Sequence, residues 1–536
     1  MNIILPNGKL ITFNEQQVEA LTLVRQWLRN EASISEKGSP LMFCLQGYAG
    51  TGKTTIIRDA IYWYMDGPGK WDKKIAVTAP THKAKKVVSD ATGLQGKTIQ
   101  SLVGLAPNVD VLNFDINNPE FALLNKPTIS QYSVILVDEA SMLNTELFEL
   151  LYRQAAQFNV KLLFMCDSAQ LPPIGEEMSP VVISELIGVR YQLTKVERQT
   201  GDNPLMLVYD AIRTDINSTR DNFSHISHLL TTNVDRSMGV EFLTDLKTFG
   251  GRVVTAFNSN MFNEDPDYCK VLCWTNKRVS FWNNAIRATI IDKRRKSLPP
   301  EEILHDSIIL PNELLLGYST YSGGIVNSGE YRVKDIKYEE EIAKFGPYVN
   351  NDIFAGRENK VSFFVYDVLL ESTTEPDNCI RCSIVEPTTD NYQKFIMPFN
   401  WYLGQGKFNK RWSMYYSWRN KYMLLTDIRD INKRLIVKKD LDYAYALSVH
   451  KAQGSTFSEV FIDEIDIDQL ENENFVQFLF QQDRKIALTA RNVKYFDKKY
   501  PSFKTYYHHK LIEKNKLKYV ALSRPSTKAT VFTTKT

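Results

Sequence analysis

The chain has 536 residues, of which 43% are hydrophobic and 24% are charged, the balance of a globular protein rather than of a disordered one. Its formal net charge of +3 is close to neutral for this length, so charge alone neither indicates nor excludes a nucleic-acid partner. We expect no membrane-spanning helix, because no segment has about eighteen consecutive apolar residues, and the six cysteines are too few for a disulfide framework and favour a reducing cytoplasm.

The first 200 residues alternate short apolar runs with helix-like segments, the pattern of a parallel α/β sheet. The apolar runs are continuous, which is typical of strands buried on both faces. Residues 102–131 interrupt the pattern with Pro107, Pro119 and Pro127, so we expect a small excursion from the sheet there. Strands are predicted at 41–45, 75–78, 134–137 and 161–165, and helices at 54–65, 82–91 and 145–156.

A second α/β segment follows residue 200, with strands predicted at 252–255 and 270–274 and a helix from Lys277. Between residues 326 and 440 the pattern changes to antiparallel strands, such as 330–338 and 360–370, and aromatic residues become frequent. The α/β pattern returns at 441–449, 459–463 and 519–521. An insertion nested within the second α/β domain explains this order. The predicted domains are 1–200, then 201–325 joined to 441–536, and the insertion 326–440.

Residues 47–54 read Gly-Tyr-Ala-Gly-Thr-Gly-Lys-Thr and form a complete phosphate-binding pattern between a predicted strand and a predicted helix. Glycines allow the backbone N–H groups to converge on phosphates at the N-terminal end of the helix. Lys53 is placed to reach the β- and γ-phosphates of a nucleoside triphosphate, and the Thr54 hydroxyl to bind Mg²⁺. The sequence therefore predicts a nucleotide site here.

The apolar run 134–137 ends in Asp138 and Glu139, at the sheet edge where ligands bind in open α/β folds. Asp138 is suited to hold Mg²⁺, and Glu139 to orient and deprotonate an attacking water. An Asp-Glu pair after a strand is weak evidence alone. Together with a complete phosphate loop it predicts a site that hydrolyses a nucleoside triphosphate.

Other segments resemble those of one enzyme family. Residues 138–142 and 166–173 resemble motifs II and III of superfamily 1 helicases, specifically the RecD-like B branch and most closely the Dda helicases of T-even phages. The sequence departs from the family at Gln100, Cys166, Ser523 and Pro525, none of which removes a charged catalytic group. The remaining similar segments are 13–17 (Q motif), 78–84 (Ia), 98–102 (Ib), 196–199, 272–277, 446–455 (V) and 519–525 (VI).

The resemblance implies an α/β protein with two RecA-like parallel-sheet domains in tandem. It also implies a small pin-like 1B insertion at 102–131, with Phe114 or Phe121 as a wedge, and a β-rich, SH3-like 2B insertion. The implied activity is ATP- and Mg²⁺-dependent movement 5′ to 3′ along single-stranded DNA, with unwinding of forked duplex DNA in replication, recombination or repair. The implied protein is a cytoplasmic monomer, in the host cytoplasm if viral, with single-strand-binding or replication proteins as partners.

The resemblance also assigns roles to individual residues. Gln17 reads adenine, Gln170 senses the γ-phosphate, and Arg198 and Arg524 neutralise the transition state. Nucleotide contacts are assigned to Gly47, Ala49, Gly50, Thr51, Gly52, Lys53, Thr54, Thr55 and Gly454. A strand-binding track is assigned to Thr81, His82, Thr98 and Ser101 on the first domain and to Thr275, Asn276, His450 and Gln453 on the second.

Three other functions stay open from the sequence. The motifs contact phosphates, so an RNA-directed relative fits them equally well. An ATPase that remodels protein–nucleic-acid complexes without unwinding also fits. The intact Lys53, Asp138, Glu139, Arg198 and Arg524 argue against a scaffold with a degenerate site.

Three further local patterns need an interpretation. Residues 408–422 interleave aromatic and basic residues, which suits either a base-stacking surface or an aromatic core helix; their near-helical spacing favours the core helix. The basic stretch 510–518 is predicted to be a solvated helix face. Cys269 and Cys273 with Cys379 and Cys382 have a spacing that zinc sites use, but a strand at 379–385 would point Cys379 and Cys382 to opposite faces.

Overall fold

The computed structural model describes residues 2–4, 10–67, 74–105, 126–173, 175–195, 205–214, 216–217, 238–297, 308–318, 324–346, 359–375, 377–489 and 493–534. These residues form two compact units. The first combines the chain up to Ile286 with Ala446–Thr536, and the second is Arg287–Tyr445. No helix in the described ranges is long and apolar enough to cross a membrane.

The first unit begins with a parallel five-stranded sheet in the order β4-β5-β6-β3-β7. Strands β4, β5 and β6 are buried along their whole length, as their continuous apolar runs predict. Its elements, after the antiparallel pair β1 (Asn2–Ile4) and β2 (Leu10–Thr12), are α1 (Glu15–Leu28), β3 (Ser39–Gly47), α2 (Lys53–Asp66), β4 (Ile75–Thr78), α3 (His82–Thr92), α4 (Ile99–Val103), β5 (Val134–Val137), α5 (Thr145–Phe158), β6 (Lys161–Cys166), α6 (Pro180–Ile183) and β7 (Ile187–Leu193).

The next elements correct one prediction. Residues 252–255 were predicted to be a strand, but they lie within a helix, and the strand is Gly239–Leu243. Asp245 caps that helix by accepting a hydrogen bond from the Thr248 backbone N–H. A buried stripe that includes Phe249 and Val253 then outweighs the strand preference of the β-branched residues. The elements are α7 (Leu205–Thr214), β8 (Gly239–Leu243), α8 (Leu246–Phe257), α9 (Asn260–Glu264), β9 (Cys269–Cys273) and α10 (Asn276–Ser297).

The second unit is built on a six-stranded sheet in the order β14-β13-β12-β11-β10-β17. All of its strand pairs are antiparallel except β13 with β14. In β13, Cys379 is exposed and Cys382 is buried, as expected for strand residues three apart. Its elements are β10 (Leu314–Gly317), β11 (Glu330–Phe345), β12 (Asn359–Ser372), β13 (Cys379–Val385), α11 (Thr389–Asn409), α12 (Trp412–Arg419), β14 (Tyr422–Met423), β15 (Ile428–Arg429), β16 (Leu435–Val437) and β17 (Leu441–Tyr443).

The second unit extends beyond the predicted insertion 326–440 at both ends. β10 pairs with β11 on one side and with β17 on the other, so both flanking strands belong to the insertion's sheet. The prediction placed the bounds of the insertion where the sequence pattern changes, so β10 and β17 fell in the second α/β domain.

The chain then returns to the first unit and completes its second sheet, in the order β18-β9-β19-β20-β8, with every pair parallel. Two parallel sheets flanked by helices thus form the two RecA-like domains that the sequence predicts. We call them domain 1 and domain 2. The last elements are β18 (Ala446–Ser448), β19 (Phe457–Asp463), α13 (Glu464–Ile467), α14 (Glu473–Thr489), α15 (Val493–Lys499), α16 (Phe503–Leu522) and β20 (Pro525–Phe532).

The prediction of a solvated face at 510–518 was wrong. Lys514, Lys516 and Lys518 on α16 are buried. The Lys518 ammonium lies 2.6 Å from Glu464 Oε1, in the turn after β19, and Lys514 pairs with Glu471. Ion pairing offsets the desolvation of buried ammonium groups. The partners are carboxylates about 40 to 55 residues away in sequence, so the local pattern did not reveal them.

Candidate active site

The phosphate loop connects the end of β3 to the start of α2. Gly50 and Gly52 adopt positive φ angles of 82° and 86°, which glycine accepts readily. A Cβ on Gly52 would lie 2.7 Å from Gln17 Nε2, so this position also requires a bare backbone. The Lys53 ammonium donates to the carbonyl oxygens of Gly47 (2.5 Å) and Tyr48 (3.1 Å), which holds its charge inside the loop.

Gln17 joins the loop to the start of α1. Its Nε2 donates to the Thr51 carbonyl oxygen at 3.0 Å, and its Oε1 accepts from the Asn14 backbone N–H at 3.0 Å. Asn14 in turn accepts from the Gln17 backbone N–H, which completes a capping box. Gln17 therefore lies against the phosphate loop.

Asp138 and Glu139 lie at the carboxyl end of β5, the edge of the sheet from which the phosphate loop also projects. The Glu139 backbone has a φ of 49°, and its N–H donates to Asp138 Oδ1 at 2.9 Å. Burial and the Glu139 charge raise the pKa of Asp138 to about 7, against the opposing effects of this hydrogen bond and of the Lys53 charge. The Asp138 carboxylate and the Thr54 hydroxyl are hard oxygen donors of the kind that Mg²⁺ prefers, so the residues fit that ion.

Motif III of domain 1 contacts motif V of domain 2. Gln453 Nε2 lies 3.5 Å from Gln170 Oε1, and both side chains are buried. Gly454 has a φ of 73°, and a Cβ there would lie 2.7 Å from Ala84 Cβ and 3.5 Å from Thr81 Oγ1. The structure therefore brings the predicted residues Gln170, Gln453, Gly454 and Thr81 to one junction between the domains.

Motif VI reaches the phosphate loop through Tyr519, a residue that sequence reasoning missed. The Tyr519 hydroxyl donates to Asp167 Oδ2 at 2.9 Å and accepts from the Ala49 N–H at 3.4 Å. Burial and the Asp167 charge raise the pKa of Tyr519, so the hydroxyl keeps its proton. Tyr519 and Asp167 lie inside segments that resemble helicase motifs, but neither was among the predicted site residues.

Arg524 follows α16 and is buried. Its guanidinium donates to Ser523 Oγ at 2.7 Å, to the Val520 carbonyl at 3.1 Å and to the Ser455 carbonyl at 3.2 Å. These contacts all lie within domain 2, so the orientation of Arg524 depends on that domain. Arg198, the other predicted arginine, lies outside the described residues, as do Phe114 and Phe121.

The predicted track residues of domain 1 follow β4 and begin α4. Thr81 caps α3 by accepting from the Ala84 backbone N–H at 3.2 Å. Thr98 accepts from the Ser101 N–H at 3.1 Å. Burial and the charge of Lys85 lower the pKa of His82 to about 4, so His82 is neutral at physiological pH. As a neutral group it offers a hydrogen bond rather than a positive charge.

The predicted track residues of domain 2 follow β9 and β18. The Thr275 hydroxyl donates to Asp466 Oδ1 at 2.8 Å, and its backbone N–H donates to Asp466 Oδ2 at 2.7 Å. Asn276 begins α10. Burial lowers the pKa of His450 although the Glu513 charge opposes it. Because both sheets are parallel, each set of track residues lies at the carboxyl edge of its own sheet.

Two further contacts involve residues of the motifs described above. Lys83 of motif Ia pairs with Asp267 of domain 2, and its ammonium lies 4.6 Å from the Phe457 ring centroid. Arg213 on α7 lies 4.5 Å from the ring centroid of Tyr48 in the phosphate loop. Neither Asp267 nor Arg213 lies in a motif, so no pattern in the sequence pointed to them.

Comparisons with known proteins find similar families and relatives. A family model described as an AAA domain matches residues 32–225, and one described as a UvrD-like helicase C-terminal domain matches residues 443–480. The ATP-dependent DNA helicase Dda of Enterobacteria phage T4 is 24% identical over 303 residues, 56% of this chain. The chain covers 64% of Dda, just under two thirds of its length.

The chain is similar to superfamily 1B helicases. The ATP-dependent RecD2 DNA helicase of Deinococcus radiodurans is 29% identical over 162 residues, 30% of this chain and 20% of RecD2. The crystal structure of the Pif1 helicase from Candida albicans covers 97% of this chain and 94% of its own, at 16% identity and a TM-score of 0.44. The two helicase relatives support the resemblance on which the motif assignments above were based.

We expect the chain to lose stability in acid partly through His82. Because its folded pKa of about 4 lies below the ordinary value of 6.5, the unfolded state takes up the proton first as pH falls from 6.5 to 4. The wild type should lose about 2 kcal/mol more free energy of unfolding between pH 8 and pH 5 than His82→Gln does. Urea unfolding at the two pH values measures this loss.

The exposed His508 supplies the control for this measurement. His508→Gln should follow the wild type at both pH values. Equal acid sensitivity in wild type and His82→Gln would contradict the neutral, buried state of His82.

Proposed function

We propose that the chain is an ATP-dependent DNA helicase that moves 5′ to 3′ on single-stranded DNA and unwinds forked duplexes. The observation that carries the proposal is the contact between the phosphate loop of domain 1 and the motif VI helix of domain 2. The Tyr519 hydroxyl accepts from the Ala49 N–H and donates to Asp167. A change in the nucleotide bound at the phosphate loop therefore acts directly on a contact with the second domain.

In the proposed reaction the loop N–H groups and Lys53 bind the phosphates of ATP. Thr54 and Asp138 would hold Mg²⁺, which would neutralise negative charge on the phosphates of ATP. Glu139 orients the attacking water and accepts its proton. Arg524 and Arg198 stabilise the charge that spreads over the equatorial oxygens of the transferred group.

Hydrolysis is coupled to movement because the two domains share the site and the track. Gln170 and Gln453 meet at the junction, and Gln453 is itself a proposed strand contact. Loss of the γ-phosphate weakens the hold of domain 2 on the loop, and the domains separate. Alternating grip by the two sets of track residues then advances the chain along the strand, through phosphate contacts that do not read bases.

DNA is the preferred substrate in this proposal because Dda and RecD2 are named as DNA helicases. The polarity rests on the family resemblance. We propose that the chain acts as a monomer inside the cell, in the host cytoplasm if the protein is viral, alongside single-strand-binding or replication proteins. An RNA-directed helicase and a remodelling ATPase are the competing functions.

Strand separation on partial duplexes tests the proposal. Substrates carry a single-stranded DNA tail at the 5′ end or at the 3′ end, and a third carries a 5′ RNA tail. We expect unwinding from the 5′ DNA tail alone, and none by Lys53→Ala, because that variant lacks the ammonium that binds the β- and γ-phosphates. Equal activity from both DNA tails would contradict the polarity.

Other results of the same assay identify the competing functions. Activity on the RNA tail alone would indicate an RNA-directed enzyme. ATP hydrolysis that single strands stimulate without any strand separation would indicate a remodelling ATPase. No stimulated hydrolysis in the wild type would contradict the whole proposal.

A further inference from the structure

The second unit contains a long stretch without acidic residues. No Asp or Glu occurs between Asp390 and Asp427. Such a stretch of mixed basic and aromatic residues has two possible structural fates, a hydrophobic core or a surface that binds polyanions. The basic residues in it are Lys394, Lys407, Lys410, Arg411, Arg419 and Lys421.

The structure divides this stretch between core and surface. Phe395, Trp418 and Tyr422 are buried and pack on one another with ring centroids 5.1 to 5.7 Å apart. Arg419 is buried against Asp440, with its Nη2 2.9 Å and 2.8 Å from the two carboxylate oxygens. These residues follow the core-helix interpretation, and Arg419 is committed to its ion pair.

The corner between α11 and α12 remains at the surface. Phe408 is 84% exposed, Tyr416 45% and Trp412 38%, which is unusual for large aromatic side chains. Every residue from Lys407 to Ser413 is exposed. We call this set the aromatic corner: Lys407, Phe408, Lys410, Arg411, Trp412 and Tyr416.

The Trp412 ring of the aromatic corner packs on Gly406 of α11. A Cβ on Gly406 would lie 2.7 to 3.0 Å from the Trp412 indole, so the indole rests directly on this backbone. The Trp412 and Tyr416 rings lie 6.1 Å apart at 32°. The Trp412 ring is therefore positioned before any ligand arrives, which lowers the entropic cost of binding.

The backbone of the corner is also fixed. Lys410 ends α11 with a φ of 56°, and the Arg411 N–H donates to the Gln405 carbonyl at 3.0 Å. The Asn409 side chain donates to Gln405 Oε1 at 2.8 Å. These bonds hold the backbone at Lys410 and Arg411. The two residues lie between Phe408 and Trp412 in sequence, so cationic and aromatic residues alternate along the corner.

We propose that the aromatic corner is a binding site for single-stranded DNA, formed by residues other than the track residues of the two RecA-like domains. Bases stack on Phe408 and Trp412, and Lys407, Lys410 and Arg411 bind the neighbouring phosphates. Duplex DNA fits less well, because its bases are already stacked inside the helix. The inference rests on the proposed function only in taking DNA as the nucleic acid.

Binding of a fluorescent thymidine 30-mer to the full chain without nucleotide tests the site. Phe408→Ala/Trp412→Ala should bind at least about 30-fold more weakly, since the two stacked bases contribute about 1–3 kcal/mol each. Lys407→Ala/Lys410→Ala/Arg411→Ala should make the negative slope of the logarithm of the binding constant against the logarithm of the salt concentration shallower by about 2. Each of the three lost phosphate contacts accounts for about 0.7 of this change. ATP hydrolysis without DNA should not change in either variant.

Three further variants keep the test decisive. Phe408→Ala alone removes the most exposed ring without touching the packing on Gly406, and it should still weaken binding several-fold. Trp412→Phe keeps a stacking ring and should retain most of the affinity. Tyr495→Ala removes an aromatic side chain that is 67% exposed on α15, and it should bind like the wild type.

Wild-type affinity and salt slope in both corner variants would overturn the inference and leave the corner as a surface for a protein partner. Failure of the proposed function looks different. In that case the wild type shows no DNA-stimulated ATP hydrolysis, while the corner variants still lose affinity for the oligonucleotide.

Discussion

Arg524→Ala is expected to lower the kcat for ATP hydrolysis by about 10³-fold or more, the effect of removing an arginine that stabilises the phosphoryl transition state. The side chain is buried and is oriented by carbonyl and hydroxyl groups of domain 2 alone. Its loss should therefore change the affinity for ATP much less than the rate. Steady-state hydrolysis with saturating single-stranded DNA, together with equilibrium binding of a fluorescent ATP analogue, separates the two effects.

Two matched variants sharpen this measurement. Arg524→Lys keeps the charge but loses the planar fork, and it should recover only part of the rate. Ser523→Ala removes the 2.7 Å hydrogen bond to the guanidinium and leaves the charge, so it should cost far less than Arg524→Ala. A rate within tenfold of wild type in Arg524→Ala would assign the transition-state charge to Arg198 or to another group.

The second large effect is expected from Glu139→Gln, which should lower kcat by about 10²- to 10⁴-fold because the glutamine amide cannot accept the proton of the attacking water. Glutamine has nearly the same shape and keeps the φ of 49° within reach, since the backbone there is held by the 2.9 Å bond to Asp138. Binding of ATP with Mg²⁺ should survive, and single-turnover hydrolysis with a binding titration measures both quantities.

Glu176→Gln is a suitable control, because that carboxylate accepts a hydrogen bond from the Thr145 N–H at 2.8 Å and takes no part in the proposed reaction. It should hydrolyse ATP at the wild-type rate. Unchanged hydrolysis in Glu139→Gln would exclude Glu139 as the base and leave Asp138 as the remaining carboxylate after β5.

The sequence by itself determined the first parallel sheet and the glycine-rich loop. Both depend on local patterns: the buried runs 75–78 and 134–137 are strands in which every side chain except that of Thr78 is apolar, and residues 47–54 form the loop because Gly50 and Gly52 accept positive φ angles. The carboxylates Asp138 and Glu139 follow their strand directly. Such features need no distant partner, so a reading along the chain finds them.

Only the tertiary structure decided the features that depend on distant partners. Residues 252–255 form a helix because Asp245 caps it and the sheet buries one of its faces. Lys514 and Lys518 are buried because carboxylates from another part of the chain lie opposite them. Tyr519 reaches the phosphate loop across the domain junction.

The stretch without acidic residues between Asp390 and Asp427 shows the same contrast between local pattern and tertiary structure. Its spacing predicted a core helix, which is what Trp418 and Arg419 form, but Phe408 and Trp412 stay at the surface. Whether an aromatic or charged side chain is buried depends on the free energy of its interactions with the groups that lie next to it in space. Those partners are set by packing between segments far apart in sequence, which periodicity along one segment does not encode.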